Sequence, residues 1–284
     1  MKTLLIGGTG LLGQAFAAEL RSRDCPARTA ARSRADVLID VADLDSLDAA
    51  LTAETPELVI NCAALVDVGQ CEADPGLAYR VNARPTAALA QWSRRTGGRL
   101  VHISTDHYFS DGGARPHLEN DPIDFVNEYT RSKFAAEAFA LTAPRALVFR
   151  TSIVGIRGWA RPTFAEWAIN VALENQPATL FADAYTSSID VGTFARAALD
   201  IAQGPEAGLI NLAAAEVYTK AGFVQEVAAQ LDRPLDHVTM GSVASLTPPR
   251  PASLGLDVSH AQALLDFRLP NMSQVVAAVL NAYR

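Results

Sequence analysis

The stretch Gly7-Gly8-Thr9-Gly10-Leu11-Leu12-Gly13 constrains this chain more than any other. It follows an apolar run over residues 2–6 and precedes a helical pattern over 14–21, so the local order is strand, glycine turn, helix. In that setting each glycine has its own reason. Gly7 permits a tight turn, Gly10 lets the backbone approach a pyrophosphate, and Gly13 lets the helix pack close to the strand. The helix N-terminus, with the backbone of Leu11 and Leu12, then faces the anion.

The same alternation continues. A second strand ends near Ala31, a third runs from 36 to Asp40 and Val41, and buried apolar runs follow at 58–64, 99–103 and 146–152. Between them lie helical patterns at 44–51, 77–95 and 129–141. Five strand-helix alternations before the sixth strand predict an α/β fold, a Rossmann-like doubly wound parallel sheet. Beyond Gly155 the texture changes, and a smaller C-terminal substrate lobe is expected. The expected division is a dinucleotide-binding domain over 1–155, rejoined by 179–215, and a substrate lobe over 156–178 and 216–284. The returning segment is read as a strand near Leu180, a helix over 191–202 and a strand over 209–213. Further helices are expected at 163–174, 221–231, 259–265 and 272–283.

Chemistry enters at Tyr129-Thr130-Arg131-Ser132-Lys133, a Tyr and a Lys four residues apart at the start of a helix. That spacing puts both side chains on one face. An ammonium near a phenol favours the phenolate and brings its pKa from about 10 toward neutrality, which makes the Tyr a proton donor or acceptor for carbonyl reduction by hydride. Lysine is scarce: only Lys2, Lys133 and Lys220 occur beside six tyrosines, so the spacing is not a product of abundance. Thr105, past the fifth strand, offers a hydroxyl to the same carbonyl oxygen. Asn61, at the carboxyl end of its strand, is a candidate for the ligand crevice, and Asn82, polar within an apolar helix, is either a satisfied buried amide or a second residue of that crevice. Where a ribose-reading acid is expected after the second strand, the chain has Arg32-Ser33-Arg34, and no carboxylate occurs over 27–35.

A net charge of -7 and a pI near 5.2 argue against nucleic acid or anionic membrane as the main partner. Cys25, Cys62 and Cys71 have neither disulfide parity nor metal-ligand spacing. No metal site is expected. No run approaches 18 apolar residues, so the expectation is a cytoplasmic protein, monomer or homodimer, acting on a small-molecule substrate.

With Gly7, Gly10, Gly13, Thr105, Tyr129 and Lys133 in order, the chain resembles the extended short-chain dehydrogenase/reductase superfamily. Longer stretches are similar to the dTDP-4-dehydrorhamnose reductases: Asn61-Cys62-Ala63-Ala64, Ala78-Tyr79-Arg80-Val81-Asn82, Ser104-Thr105-Asp106 with Phe109 and Asp111-Gly112, Arg150-Thr151-Ser152, and Arg250-Pro251 with Ser253 and Asp257. The resemblance implies reduction of a keto group on a nucleotide-activated deoxysugar, with NADP(H) or NAD(H). Thr105, Tyr129 and Lys133 would be catalytic. Gly7, Gly10, Leu11, Leu12, Gly13, Arg32, Ser33, Asp40, Val41, Cys62, Ala63, Ala64 and Asn82, with Tyr129 and Lys133, would line the cofactor. Asp106, His107, Ile153 and Arg250 would meet the substrate. The departures lie there too: the family's aromatic stretch after the second strand-end Ser is replaced by Ile153-Val154-Gly155, and its Tyr-Val-Phe after the Asp by His107-Tyr108-Phe109. An epimerase or dehydratase of the superfamily, and a non-catalytic dinucleotide-binding regulatory protein, are the alternative readings.

Arg32 and Ser33 generate a cofactor prediction. A guanidinium and a hydroxyl donate to a ribose 2′-phosphate, and one charge-assisted hydrogen bond is worth roughly 1.5–3 kcal/mol, about tenfold or more in preference. Comparing kcat/KM for NADPH and NADH is expected to show that preference in the native protein and its loss in Arg32→Ala. Equal efficiencies in the native protein would show that Arg32 does not read the phosphate.

Overall fold

Strand β1 (Thr3–Ile6) is buried at every residue and runs straight into the glycine turn, after which α1 (Leu11–Ser22) begins. In this computed structural model residues 1–111 and 113–284 are described; Gly112, part of the Asp111-Gly112 pair, lies outside the described residues. The chain continues through β2 (Arg28–Ala31), β3 (Val37–Leu38), α2 (Leu44–Glu54), β4 (Leu58–Asn61), α3 (Val68–Ala73), α4 (Pro75–Asn82), α5 (Arg84–Thr96), β5 (Arg99–Ile103), α6 (Glu128–Ala140) and β6 (Ala146–Arg150). Then come β7 (Ile153–Val154), α7 (Phe164–Glu174), β8 (Ala178–Phe181), β9 (Tyr185–Thr186), β10 (Ile189–Asp190), α8 (Val191–Gln203) and β11 (Gly208–Asn211). The described chain ends with β12 (Tyr218–Thr219), α9 (Lys220–Leu231), β13 (Val238–Gly241), β14 (Ser253–Leu254), α10 (Ser259–Ala263) and α11 (Met272–Tyr283).

Two compact units result. The first comprises residues 1–105, 127–150 and 195–210. Its seven-stranded sheet has the order β11-β6-β5-β4-β1-β2-β3, and the β1–β2, β1–β4, β2–β3, β4–β5 and β5–β6 pairings are parallel. This is the doubly wound Rossmann-like α/β arrangement, and its order reverses beside β1. The carboxyl ends of β1 and β4 therefore border the switch point where such sheets bind ligands. Leu4, Ile6, Leu47, Val59, Leu100 and Val148 are at the centre of the core.

The second unit comprises 106–126, 151–194 and 211–284. It holds three small sheets, β10-β7, β12-β9-β14 and β13-β8, around a core that includes Ile169, Phe223, Val227, Val275 and Val279.

Several sequence expectations are corrected in detail. The single helix expected over 77–95 is two helices, because Pro85 falls in the first turn of α5 and has no N–H with which to continue α4. The strand expected to reach Asp40 stops at Leu38; Asp40 instead accepts from the Ala42 N–H at 3.0 Å and closes a turn. The strand near Leu180 pairs with β13 from Val238 to Gly241, so only β11 of the segment 179–215 adds to the seven-stranded sheet.

Candidate active site

The candidate cofactor cradle begins where β1 ends. Gly7 has φ +78°, and a Cβ there would lie 2.7 Å from the Ala63 nitrogen; a Cβ on Gly13 would lie 2.2 Å from the Gly7 carbonyl oxygen. Neither position admits a side chain, because the obstructing atoms are backbone. Gly10 is the N-cap of α1 and gives it no side-chain cap, and the first turn contains no acid. A helix start with free backbone donors, no competing cap and no negative charge fits a pyrophosphate. Leu11 and Leu12 supply the first of those N–H groups.

The carboxyl end of β4 lies beside this turn. The Cys62 N–H donates to Ile6 O at 2.9 Å, and Ala63 N–H donates to Asn61 Oδ1 at 3.2 Å. Asn61 Nδ2 also reaches Thr86 and His102, each at 3.4 Å. Asn82 is a satisfied buried amide: it accepts from Leu65 N–H at 2.7 Å and donates to Leu65 O at 3.1 Å and to Ser132 Oγ at 2.9 Å. It thereby ties the strand-end segment beyond Ala64 to α6. At the end of β2, Arg32 and Ser33 are exposed and Arg34 has φ +54°. The next carboxylate in sequence, Asp36, is held at 2.8 Å by both the N–H and the hydroxyl of Thr29. These bonds, backbone first, lower its pKa below the usual aspartate value.

Helix α6 carries the Tyr and the Lys. Asn127 caps it in a reciprocal box with Thr130, which fixes where the first turn begins and which face Tyr129 presents. Tyr129 and Lys133 are 8% and 2% exposed, and Thr105, just past β5, is 3% exposed. Lys133 Nζ donates to Ile103 O at 2.5 Å, two residues before Thr105. Burial lowers the Lys133 pKa to about 8, against opposing pulls from Glu137 and Cys62. Cys62 is pushed the other way, its thiol raised by burial. An ammonium that titrates near neutrality beside a Tyr on the same helical face suits proton transfer at a carbonyl oxygen.

The second unit has its own cavity, of about 330 Å³, with a mostly apolar lining. His107, Lys220 and Arg250 line it together with Phe164, Trp167 and Phe181. Burial, then Lys220 and Arg250, lowers the His107 pKa to about 3, so the imidazole is neutral. Lys220 is also lowered by burial, with Asp106 pulling it up and Arg250 down. The sequence pointed to His107, Arg250 and Asp106 but not to Lys220, Phe164 or Trp167. Ile153 pairs with Ile189 in the β7–β10 ladder, and it is not among the described residues that line the cavity. Arg157 and Arg161 do not line it either: the Arg157 guanidinium lies 4.2 Å over the Trp159 ring and donates to Arg161 O at 2.9 Å.

Among the described residues no group of His, Cys, Asp and Glu is placed to hold a metal ion, and no helix is long and apolar enough to cross a membrane. The model of the RmlD substrate binding domain matches residues 1–284. A dTDP-4-dehydrorhamnose reductase of Burkholderia thailandensis is 30% identical over 235 residues, which are 81% of this chain and 74% of that protein. A probable low-salt glycan biosynthesis reductase of Haloferax volcanii is 26% identical over 304 residues, 100% and 98% of the two chains. In fold, the chain is similar to a dTDP-4-dehydrorhamnose reductase of Bacillus anthracis in complex with NADP, with TM-score 0.87, 22% identity and 99% and 98% coverage.

The lowered Lys133 pKa makes a signed prediction for the cofactor-free protein. Between about pH 8 and about pH 10.5 the folded chain has released this proton while the unfolded chain retains it, so stability rises with pH across that window. A depression of this size corresponds to about 3 kcal/mol at most. Urea denaturation at stepped pH is expected to show the rise in the native protein and a flatter profile in Lys133→Met. Parallel profiles would contradict it.

Proposed function

The chain belongs to the RmlD substrate-binding-domain family, of the extended short-chain dehydrogenase/reductase type, and from that premise we propose that it reduces a keto group on a nucleotide-activated deoxysugar. The observation that carries the reading is the buried Lys133 ammonium, bonded to the Ile103 carbonyl and four residues along α6 from the buried Tyr129, with Thr105 two residues beyond Ile103.

The nicotinamide cofactor, which we assign as NADP(H) with NAD(H) as the second choice, supplies the hydride when bound. The protein's residues do the rest. The turn from Gly7 to Gly13 takes the pyrophosphate on backbone N–H groups, and Arg32 with Ser33 donates to the 2′-phosphate. Cys62, Ala63 and Ala64 line the cofactor at the end of β4. Lys133 holds the nicotinamide ribose, and its charge lowers the pKa of Tyr129. Thr105 and Tyr129 donate to the ketone oxygen, and Tyr129 delivers the proton as negative charge develops there. Asp106 and His107 meet the sugar. Lys220 and Arg250 take the diphosphate, where two cations suit its two negative charges, and Phe164, Trp167 and Phe181 form the wall for the base. A dehydratase would use a second acid after Asp106. His107 stands at that position, and its imidazole is neutral.

Two measurements test this. Across a panel of nucleoside-diphosphate sugars and simple ketones followed by nicotinamide absorbance, Tyr129→Phe is expected to lower kcat by about 10²–10⁴-fold with cofactor Kd near the native value. Full turnover in that variant would sink the assignment. Lys220→Met and Arg250→Met are each expected to raise KM for the nucleotide sugar by about tenfold or more. An unchanged KM in the double variant would move the diphosphate elsewhere.

A further inference from the structure

Tyr129 and Lys133 are not the whole of the inward face of α6. One further turn along, at the same four-residue spacing, stands Glu137, 1% exposed. Its carboxylate is fully engaged. Arg150 Nη2 donates to Oε1 at 2.6 Å and Arg150 Nε donates to Oε2 at 3.1 Å, a forked pair in which the guanidinium is also buried, at 3% exposed. Ser104 Oγ donates to the same Oε2 at 2.8 Å. Ser104 lies between Ile103, whose carbonyl holds Lys133, and Thr105. Its own N–H donates to Phe149 O at 2.8 Å, one residue before Arg150.

The stretch 103–104 is therefore bound to α6 at two successive turns, through Lys133 and through Glu137. A buried ion pair is a weak source of stability, since apolar residues of similar volume often do as well. Its geometry accounts for something packing would not: a fixed spacing between the strand end that bears Thr105 and the helix that bears Tyr129 and Lys133. We propose that Glu137, held by Arg150 and bonded to Ser104, is a positioning residue for the reduction, setting Thr105 against Tyr129 and keeping a negative charge one turn from the Lys133 ammonium. This rests on the reading of Tyr129 and Lys133 given above.

The charged and titratable groups around Lys133 are Glu137 and Tyr129 on α6, Cys62 after β4 and His102 on β5, with Arg150 on β6 behind Glu137. His102 is held neutral by burial first and by Lys133 second. Of these groups, Glu137 opposes the effect of burial on Lys133 most strongly. Removing its charge while keeping its shape lowers the Lys133 titration further.

The scarcity of lysine makes this measurable without turnover. With only Lys2, Lys133 and Lys220 in the chain, ¹³C-labelled lysine gives three side-chain NMR titrations, and Lys133→Met identifies one of them. In Glu137→Gln the Lys133 midpoint is expected to fall by about one pH unit or more, and the alkaline limb of the kcat profile to fall with it. Ser104→Ala keeps the charge and removes the bond to the strand end; it is expected to lower kcat about tenfold with KM and the Lys133 midpoint unmoved. Glu137→Gln leaves Arg150 without its carboxylate, so Glu137→Gln/Arg150→Met, which buries no charge at either position, carries the NMR reading if the single variant fails to fold. A native Lys133 midpoint in the folded variant, or native kcat in Ser104→Ala, overturns the inference. Full turnover in Tyr129→Phe would instead remove the reading beneath it, and the lysine titration remains a separate result.

Discussion

A cation cannot be taken out of water without compensation, and Lys133 is the place where this chain meets that cost. Lys133 is 2% exposed, and its ammonium is retained because the Ile103 carbonyl accepts a hydrogen bond from it and Glu137 lies one turn away. Both partners are backbone or buried, so neither can be moved without moving an element. The position of α6 against the end of β5 follows from them. So does the need for a defined start to α6, which the box between Asn127 and Thr130 provides. A helix that began one residue later would turn its inward face by about 100°, and the Tyr with it.

Much of this was legible in the sequence because it is local. A glycine turn between a strand and a helix, or a Tyr and a Lys four apart, is encoded within a few residues. Composition sharpened the second signal. Of three lysines, Lys133 is buried and Lys220 half-buried in a cavity wall, while the other surface cations are mostly arginine. What was not legible depends on long-range pairing. Lys220 reads as the first residue of an ordinary helix, and nothing near it in sequence shows that Arg250, His107 and Asp106 interact with it. Leu180 reads as a strand in any register, and only its partner β13, some sixty residues on, decides which sheet it joins. The break at Pro85 was local and readable; the apolar periodicity on both sides of it argued for continuity, and the missing N–H prevailed.

The two lysine environments are shifted in the same sense, by burial, and differ in their neighbours. In the first unit Lys133 is bonded to a backbone carbonyl and lies within the field of Glu137, the carboxylate that Arg150 pairs with. In the second, burial first and then Lys220 and Arg250 favour neutral His107, and Asp106 is the acid that opposes the lowering of Lys220. A surplus of positive charge in a cavity lined by Phe164, Trp167 and Phe181 favours an anion with an aromatic or apolar body over a neutral solute of the same size.

The division of the chain carries a consequence for how such a protein can diversify. Thr105 and Asp106 are bonded neighbours in different compact units, and the chain changes unit again at 126/127, 150/151, 194/195 and 210/211. Neither unit is a continuous gene segment. Recombination at a single point therefore cannot exchange one whole unit for another, and a fragment ending at residue 105 would lack α6 with its Tyr and Lys. Variation of the second unit has instead to enter as separate edits within 106–126, 151–194 and 211–284, each joined to segments of the first, so that unit changes by many small steps while the seven-stranded sheet stays fixed.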